Sequence, residues 1–130
     1  MTVAITGASG EVGRRVAALV DSPRLVVRDA SRAPAGFDDV RVASDYGARD
    51  EMRAAFTGAD TVFLIPAAES ADRVDRHRAA VDAAVAAGVS WIVYLSFFGA
   101  APDATFTLAR DHWATEQHIR ACGVPGPSCA

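Results

Sequence analysis

Three glycines, Gly7, Gly10 and Gly13, stand at a G-x-x-G-x-x-G spacing. The apolar run Val3-Ala4-Ile5 precedes them, and Val12, Val16, Leu19 and Val20 follow at helical intervals. The chemistry this spacing allows comes from missing side chains. Gly7 can turn sharply out of a strand, Gly10 lets a pyrophosphate approach the backbone, and Gly13 lets a helix pack close to a sheet. Phosphates held there meet the first N–H groups of the helix, which lack intrahelical partners, at the positive end of its dipole. A strand before and a helix after are the context that turns a glycine triplet into a nucleotide-binding expectation.

Two charged residues compete to select the cofactor. The next apolar run, Leu25-Val26-Val27, ends in Arg28-Asp29 about twenty residues after the first glycine, where an adenosine ribose is read. A guanidinium there holds a 2′-phosphate through charge-assisted hydrogen bonds, whereas a carboxylate accepts from the free 2′-hydroxyl of NAD and repels the phosphate. Arg28 stands nearer the end of the run, so NADP(H) is expected in preference to NAD(H). Arg32 is either a second positive charge for that phosphate or a solvated loop charge.

The elements that must position these groups follow from hydrophobic periodicity. Strand-like runs fall at Thr2–Thr6, Arg24–Arg28, Val40–Ala43, Thr61–Ile65 and Trp91–Leu95, with helical patterns at Glu11–Asp21, Ala48–Phe56, Ala71–Ala87 and Ala109–Ala121. Gly58 and Gly88 sit just beyond two of these helices, where a left-handed cap belongs. Alternating strands and helices imply an α/β fold. The expectation is a Rossmann-like, doubly wound parallel sheet of five strands in the order 3-2-1-4-5, with flanking helices and the ligand at the carboxyl ends.

Those carboxyl ends also carry Asp45-Tyr46 after the third strand, Pro66-Ala67-Ala68 after the fourth and Ser96-Phe97-Phe98 after the fifth. Asp45 is either an acceptor for the adenine amino group or part of an acidic loop, and Tyr46 either packs on the ring or is a surface aromatic. Pro66 cannot continue a central ladder, so it ends its strand and leaves room beside it.

Composition bounds the remaining possibilities. The chain has 130 residues, 51% of them hydrophobic and 22% charged, which fits one domain with a substantial core. A formal charge of −3 with scattered arginines gives no basic stripe, so nucleic acid is not an expected partner. The longest uncharged stretch, Ala83 to Pro102, is broken by glycines and serines and makes a poor membrane span. With no signal-like amino terminus, the expected location is the cytoplasm. Cys122 and Cys129 read as free thiols, and no zinc-like spacing suggests a metal.

Together these residues resemble the NmrA-like, atypical short-chain dehydrogenase/reductase family, and within it the quinone oxidoreductase 2 type. The resemblance spans about Thr2 to Val124. It rests on Thr6-Gly7-Ala8-Ser9-Gly10-Glu11-Val12-Gly13, Val27-Arg28-Asp29, Gly58-Ala59-Asp60-Thr61-Val62-Phe63-Leu64, Ala83-Ala84-Val85-Ala86-Ala87-Gly88-Val89, Tyr94-Leu95-Ser96, and Ala114-Thr115-Glu116 leading to Cys122-Gly123-Val124-Pro125. It implies that Gly7, Ser9, Gly10, Glu11, Val12 and Arg28 contact the pyrophosphate and the 2′-phosphate. Ile65, Pro66 and Ala67 would lie along the nicotinamide, with a quinone-like small molecule as acceptor and Ser96 beside the reacting cleft.

Two departures from the family follow. Where short-chain dehydrogenases carry a Tyr-x-x-x-Lys pair, this chain has Leu108 and His112. Leu108 donates no proton, so tyrosine-mediated carbonyl reduction is not expected. His112 is either a catalytic proton donor, a group orienting the nicotinamide ribose, or a histidine without a role. The family also continues into a sixth strand and a substrate lobe, whereas here Gly126-Pro127-Ser128-Cys129-Ala130 closes the sequence. The expectation is therefore a nucleotide-binding domain over 1–124 and a short tail over 125–130, without the substrate lobe. Trp91–Leu95 would then be an apolar sheet edge open to self-association. A non-catalytic NADP(H) sensor is the alternative function.

Three further readings concern packing. In the third helix Asp72, Arg73, Asp75, Arg76 and Arg78 form a solvated face, and His77 sits at the boundary of the apolar stripe. Trp91, Phe97 and Phe98 belong to the core or form a wall for a flat acceptor.

Overall fold

The computed structural model describes residues 2–65, 72–95, 107–121 and 128–129. Its elements are β1 (Val3–Thr6), α1 (Glu11–Leu19), β2 (Arg24–Val27), a 3₁₀ turn (Ala30–Arg32), β3 (Val40–Val42), α2 (Arg49–Phe56), β4 (Thr61–Leu64), α3 (Arg73–Ala86), β5 (Trp91–Leu95), α4 (Thr107–Ala121) and β6 (Ser128–Cys129). All strands pair in parallel, in the order β3-β2-β1-β4-β5-β6. The expected Rossmann-like order 3-2-1-4-5 is present. It reverses at β1, the switch point where a doubly wound sheet opens its crevice.

The sheet is covered on both faces because its strands are apolar on both. Along β1, Ala4 and Ile5 point to opposite sides. Ala4 joins Val26, Met52, Phe56, Val62, Leu64, Val81, Ile92, Tyr94 and Ile119 under α2, α3 and α4. Ile5 joins Ala8, Ala17, Leu25 and Val27 under α1. At the amino-terminal end of the strands Arg24 ties three elements together. Its Nε donates to the Asp39 carboxylate at 2.9 Å, and its Nη1 donates to the carbonyls of Ala55 and Thr57 at 3.2 and 2.6 Å. Those carbonyls close α2, so a buried cation satisfies a helix end whose acceptors have no intrahelical donors.

Four expectations are corrected. The sheet has a sixth strand. Pro125 and Pro127 precede it, but Ser128 and Cys129 pair with Tyr94 and Leu95, so the carboxyl half of β5 is covered and is not an open edge. Two residues on the outside of a sheet need far less ladder than a central strand. The charged face of α3 is only partly solvated, since Arg73 is buried and Arg76 is half-buried. His77 is fully buried rather than at a boundary, its Nδ1 lying 2.8 Å from Thr115 Oγ1 on α4. Trp91, read as core or as a wall for an acceptor, is 46% exposed, because it opens β5 at the end away from the crevice. Phe97 and Phe98 lie outside the described residues.

Among the described residues no helix is long and apolar enough to cross a membrane. No group of three or more His, Cys, Asp or Glu side chains there is placed to hold a metal ion.

Candidate functional site

The glycine turn leaves β1 through Gly7, whose φ of 60° lies in the left-handed region that side chains disfavour. The Gly10 N–H then donates to the Gly7 carbonyl at 3.0 Å, and α1 begins. Gly10 caps that helix with no side-chain hydrogen bond, so the leading N–H groups stay available to a ligand. A Cβ on Gly10 would lie 3.4 Å from the Gly7 carbonyl oxygen, and one on Gly13 would lie only 2.2 Å from it. Gly13 is therefore where the helix meets the turn backbone directly. Arg14 braces the arrangement from outside, its Nε donating to the Ser9 carbonyl at 2.9 Å and its Nη2 to the Arg32 carbonyl at 3.4 Å. Both bonds run to backbone, so the turn and the loop after β2 are held as one piece.

After β2 the two competing charges separate. Asp29 accepts from the Ser31 N–H at 3.0 Å and the Ser31 hydroxyl at 2.8 Å, capping the 3₁₀ turn. Those two hydrogen bonds hold its carboxyl below the usual carboxylate range. Arg28 instead lines the crevice. The Arg32 backbone carbonyl serves the Arg14 brace.

Tyr46 closes the floor between β1 and β4. Its Oη lies 2.6 Å from the Ile65 carbonyl and 2.8 Å from Thr6 Oγ1, and the Ile65 N–H donates to Thr6 Oγ1 at 2.9 Å. With one proton per hydroxyl, the consistent pattern has Tyr46 donating to Ile65 and Thr6 donating to Tyr46. Burial pushes the Tyr46 hydroxyl up to about 12, against the opposing pull of the Thr6 hydrogen bond and the Arg28 charge. Behind it stand His77, with ring centroids 6.4 Å apart, and then Tyr94, 5.8 Å from His77. Burial raises Tyr94 as well.

These pieces surround one cleft of about 260 Å³ at the carboxyl ends of β1 to β4. Gly7, Ser9 and Gly10 line the end nearest the start of α1, and Val26, Ala43 and Met52 give it an apolar floor. Arg28, Asp45, Tyr46, Ile65 and Arg76 supply its polar and outer walls. The volume is close to the lower limit of about 300 Å³ for small-molecule pockets, a size suited to the adenosine half of a dinucleotide.

The cleft thus unites Gly7, Ser9, Gly10, Arg28, Asp45, Tyr46 and Ile65. It does not include the Glu11, Val12 or Gly13 side positions. The Glu11 carboxylate instead accepts from Arg15 Nη2 at 2.7 Å, Val12 is 45% exposed, and Gly13 packs on the turn. Pro66, Ala67 and Ser96, and the side chain of His112, lie outside what is described. Thr6, Met52 and Arg76 carry no signal of their own in the sequence: Thr6 lies inside the strand motif, and Arg76 reads as one solvated cation among several.

A parallel, doubly wound sheet whose first strand turns through glycines onto a bare helix N-terminus defines a dinucleotide-binding domain of the Rossmann type. The NAD(P)H-binding family model matches residues 7–124, and the chain belongs to that family. Over 130 residues it is 32% identical to quinone oxidoreductase 2 of Escherichia coli, covering 94% of this chain and 45% of that protein. It is 37% identical over 128 residues to the (4-alkanoyl-5-oxo-2,5-dihydrofuran-3-yl)methyl phosphate reductase of Streptomyces griseus, covering 95% of this chain and 44% of that one. The crystal structure of the NADPH-dependent quinone oxidoreductase QOR2 from Escherichia coli in complex with NADPH superposes with a TM-score of 0.86 at 32% identity. That match covers 97% of this chain and 47% of that one. The negative transcriptional regulator NmrA shares the fold, with a TM-score of 0.79 at 21% identity, over 98% and 44% of the two chains. The chain spans about half the length of the curated relatives it matches.

Proposed function

We propose that this chain is the NADP(H)-binding domain, over residues 1–124 with β6 added at the edge of its sheet, of an NmrA-like oxidoreductase that reduces a small acceptor such as a quinone. The observation that carries the reading is the convergence on one cleft of the Gly7–Gly10 turn, the uncapped start of α1 and the Arg28 guanidinium. The chain's own groups fit the parts of the cofactor. N–H groups at the start of α1 hold the pyrophosphate, with Gly10 leaving the backbone open to close approach. Arg28 holds the 2′-phosphate, while Asp29, committed to Ser31, leaves the ribose position without a competing carboxylate. The apolar floor of Val26, Ala43 and Met52 takes the adenine. Ile65, held by Tyr46, lies along the nicotinamide in this reading, a role the family resemblance also gives to Pro66 and Ala67.

When bound, the reduced cofactor supplies a hydride to the acceptor. A quinone accepts hydride without a strong acid, which suits a chain with Leu108 where a proton-donating tyrosine would stand. The relatives' names, a quinone oxidoreductase and a reductase of a dihydrofuranyl-methyl phosphate, support the same class of reaction.

A second reading is a non-catalytic NADP(H) sensor, favoured by the same Leu108. Following NADPH oxidation at 340 nm with 1,4-benzoquinone separates them, alongside a direct binding titration. Turnover above the uncatalysed rate supports the oxidoreductase. Saturable NADPH binding without turnover selects the sensor.

A further inference from the structure

On α3, Arg76 lines the cleft yet belongs to none of the motifs that identify the family. Its Nε lies 3.2 Å from an Asp72 carboxylate oxygen and 3.6 Å from an Asp45 carboxylate oxygen, and its side chain is 32% exposed. Among the described residues both ion-pair contacts are made through Nε, which leaves the Nη edge of the guanidinium for a ligand. Asp45 therefore presents acceptors, and Arg76 donors, side by side at the rim of a slot floored by Val26, Ala43 and Met52. Adenine offers the complementary pair, an exocyclic amino donor next to a ring-nitrogen acceptor, on a flat apolar ring.

We propose that Arg76 is a specificity-determining residue of this cleft, which with Asp45 forms a donor–acceptor pair that reads the edge of adenine. The inference rests on the dinucleotide reading above and adds an adenine-recognising role to a residue outside the phosphate sites. The paired aspartates fix the guanidinium in orientation, so its donors meet the base without first losing rotamer freedom. Arg76 thus differs in function from Arg28. Arg28 reads the 2′-phosphate, and Arg76 contributes equally to cofactors with and without that phosphate.

The test measures dissociation constants by calorimetry for NADPH, NADH and nicotinamide mononucleotide (reduced), using the full chain and its Arg76→Ala and Arg76→Gln variants. Thermal unfolding of each variant checks that the fold is intact. Arg76→Ala is expected to weaken NADPH and NADH by the same factor, about tenfold, as loss of one charge-assisted hydrogen bond implies, and to leave the mononucleotide unchanged. Arg76→Gln, whose amide still donates, recovers part of the loss. Weakening confined to NADPH would overturn the proposal by making Arg76 a phosphate ligand. Unchanged binding of both dinucleotides, or an equal loss of the mononucleotide, would overturn it as well. Failure of the unsubstituted chain to bind either dinucleotide would instead refute the dinucleotide reading on which the inference stands.

Discussion

Gly13→Ala isolates the step that joins the glycine motif to the fold. A Cβ at residue 13 would lie 2.2 Å from the Gly7 carbonyl oxygen, 2.7 Å from Ala8 Cα and 2.8 Å from the Gly7 carbonyl carbon, all backbone atoms. No side-chain rotation relieves such contacts, so α1 must retreat from the turn by roughly an ångström to restore ordinary packing. Overpacking of this kind costs about 1–3 kcal/mol, and rigid backbone neighbours put it at the upper end. Alanine inside a helix recovers about 1 kcal/mol relative to glycine. The net expectation is a loss of about 2 kcal/mol, or a fall in Tm of about 7 °C for a chain of this size. Urea unfolding followed by circular dichroism measures the first figure and a thermal scan the second. Helix propensity alone predicts the opposite sign. A Gly13→Ala variant as stable as the parent, or more stable, would refute the close contact between α1 and the turn.

Three other outcomes follow from the same contacts. The chain's two tyrosines, Tyr46 and Tyr94, are both raised by burial, Tyr46 to about 12. The folded protein should therefore show almost no tyrosinate absorbance at 295 nm near pH 10.5, where the urea-unfolded chain ionises. Because their folded values exceed the unfolded value of about 10, their contribution to stability is complete below pH 10 and declines as pH rises towards 12. Replacing Arg24 by alanine should cost about 3 kcal/mol in urea unfolding, since it leaves Asp39 without its 2.9 Å partner and the Ala55 and Thr57 carbonyls without their donor. Tyr46→Phe should cost about 1–2 kcal/mol, since it removes the donor to Ile65 and the acceptor for Thr6 from a closed network. An unchanged unfolding midpoint would show that network to be dispensable.

The parts of this fold legible in the sequence are those where local chemistry and global position coincide. Gly7 is required by a turn at positive φ and Gly13 by a direct helix contact within one short segment, so their spacing, with the apolar run before and the helical pattern after, locates β1 and α1. The switch point follows from strand alternation. What stayed hidden depends on contacts between distant residues. Arg76 and Asp45 are separated by two elements, and only the packing of α3 beside the β3–α2 connection brings them to 3.6 Å. His77 reads as a boundary residue on its own helix because its cover comes from Thr115 on α4 and from two tyrosines. The pairing of Ser128 and Cys129 with β5 could not be read past the neighbouring prolines, because edge pairing asks little of sequence.

The central claim, that this cleft binds a dinucleotide through the α1 N-terminus and reads its 2′-phosphate with Arg28, is tested most directly by titrating NADPH and NADH into the chain and its Arg28→Ala variant. Two charge-assisted hydrogen bonds from one guanidinium predict that NADPH binds at least tenfold more tightly than NADH and that the substitution removes this preference. Equal affinities for the two cofactors in the unsubstituted chain, or an equal loss of both in Arg28→Ala, would contradict the account.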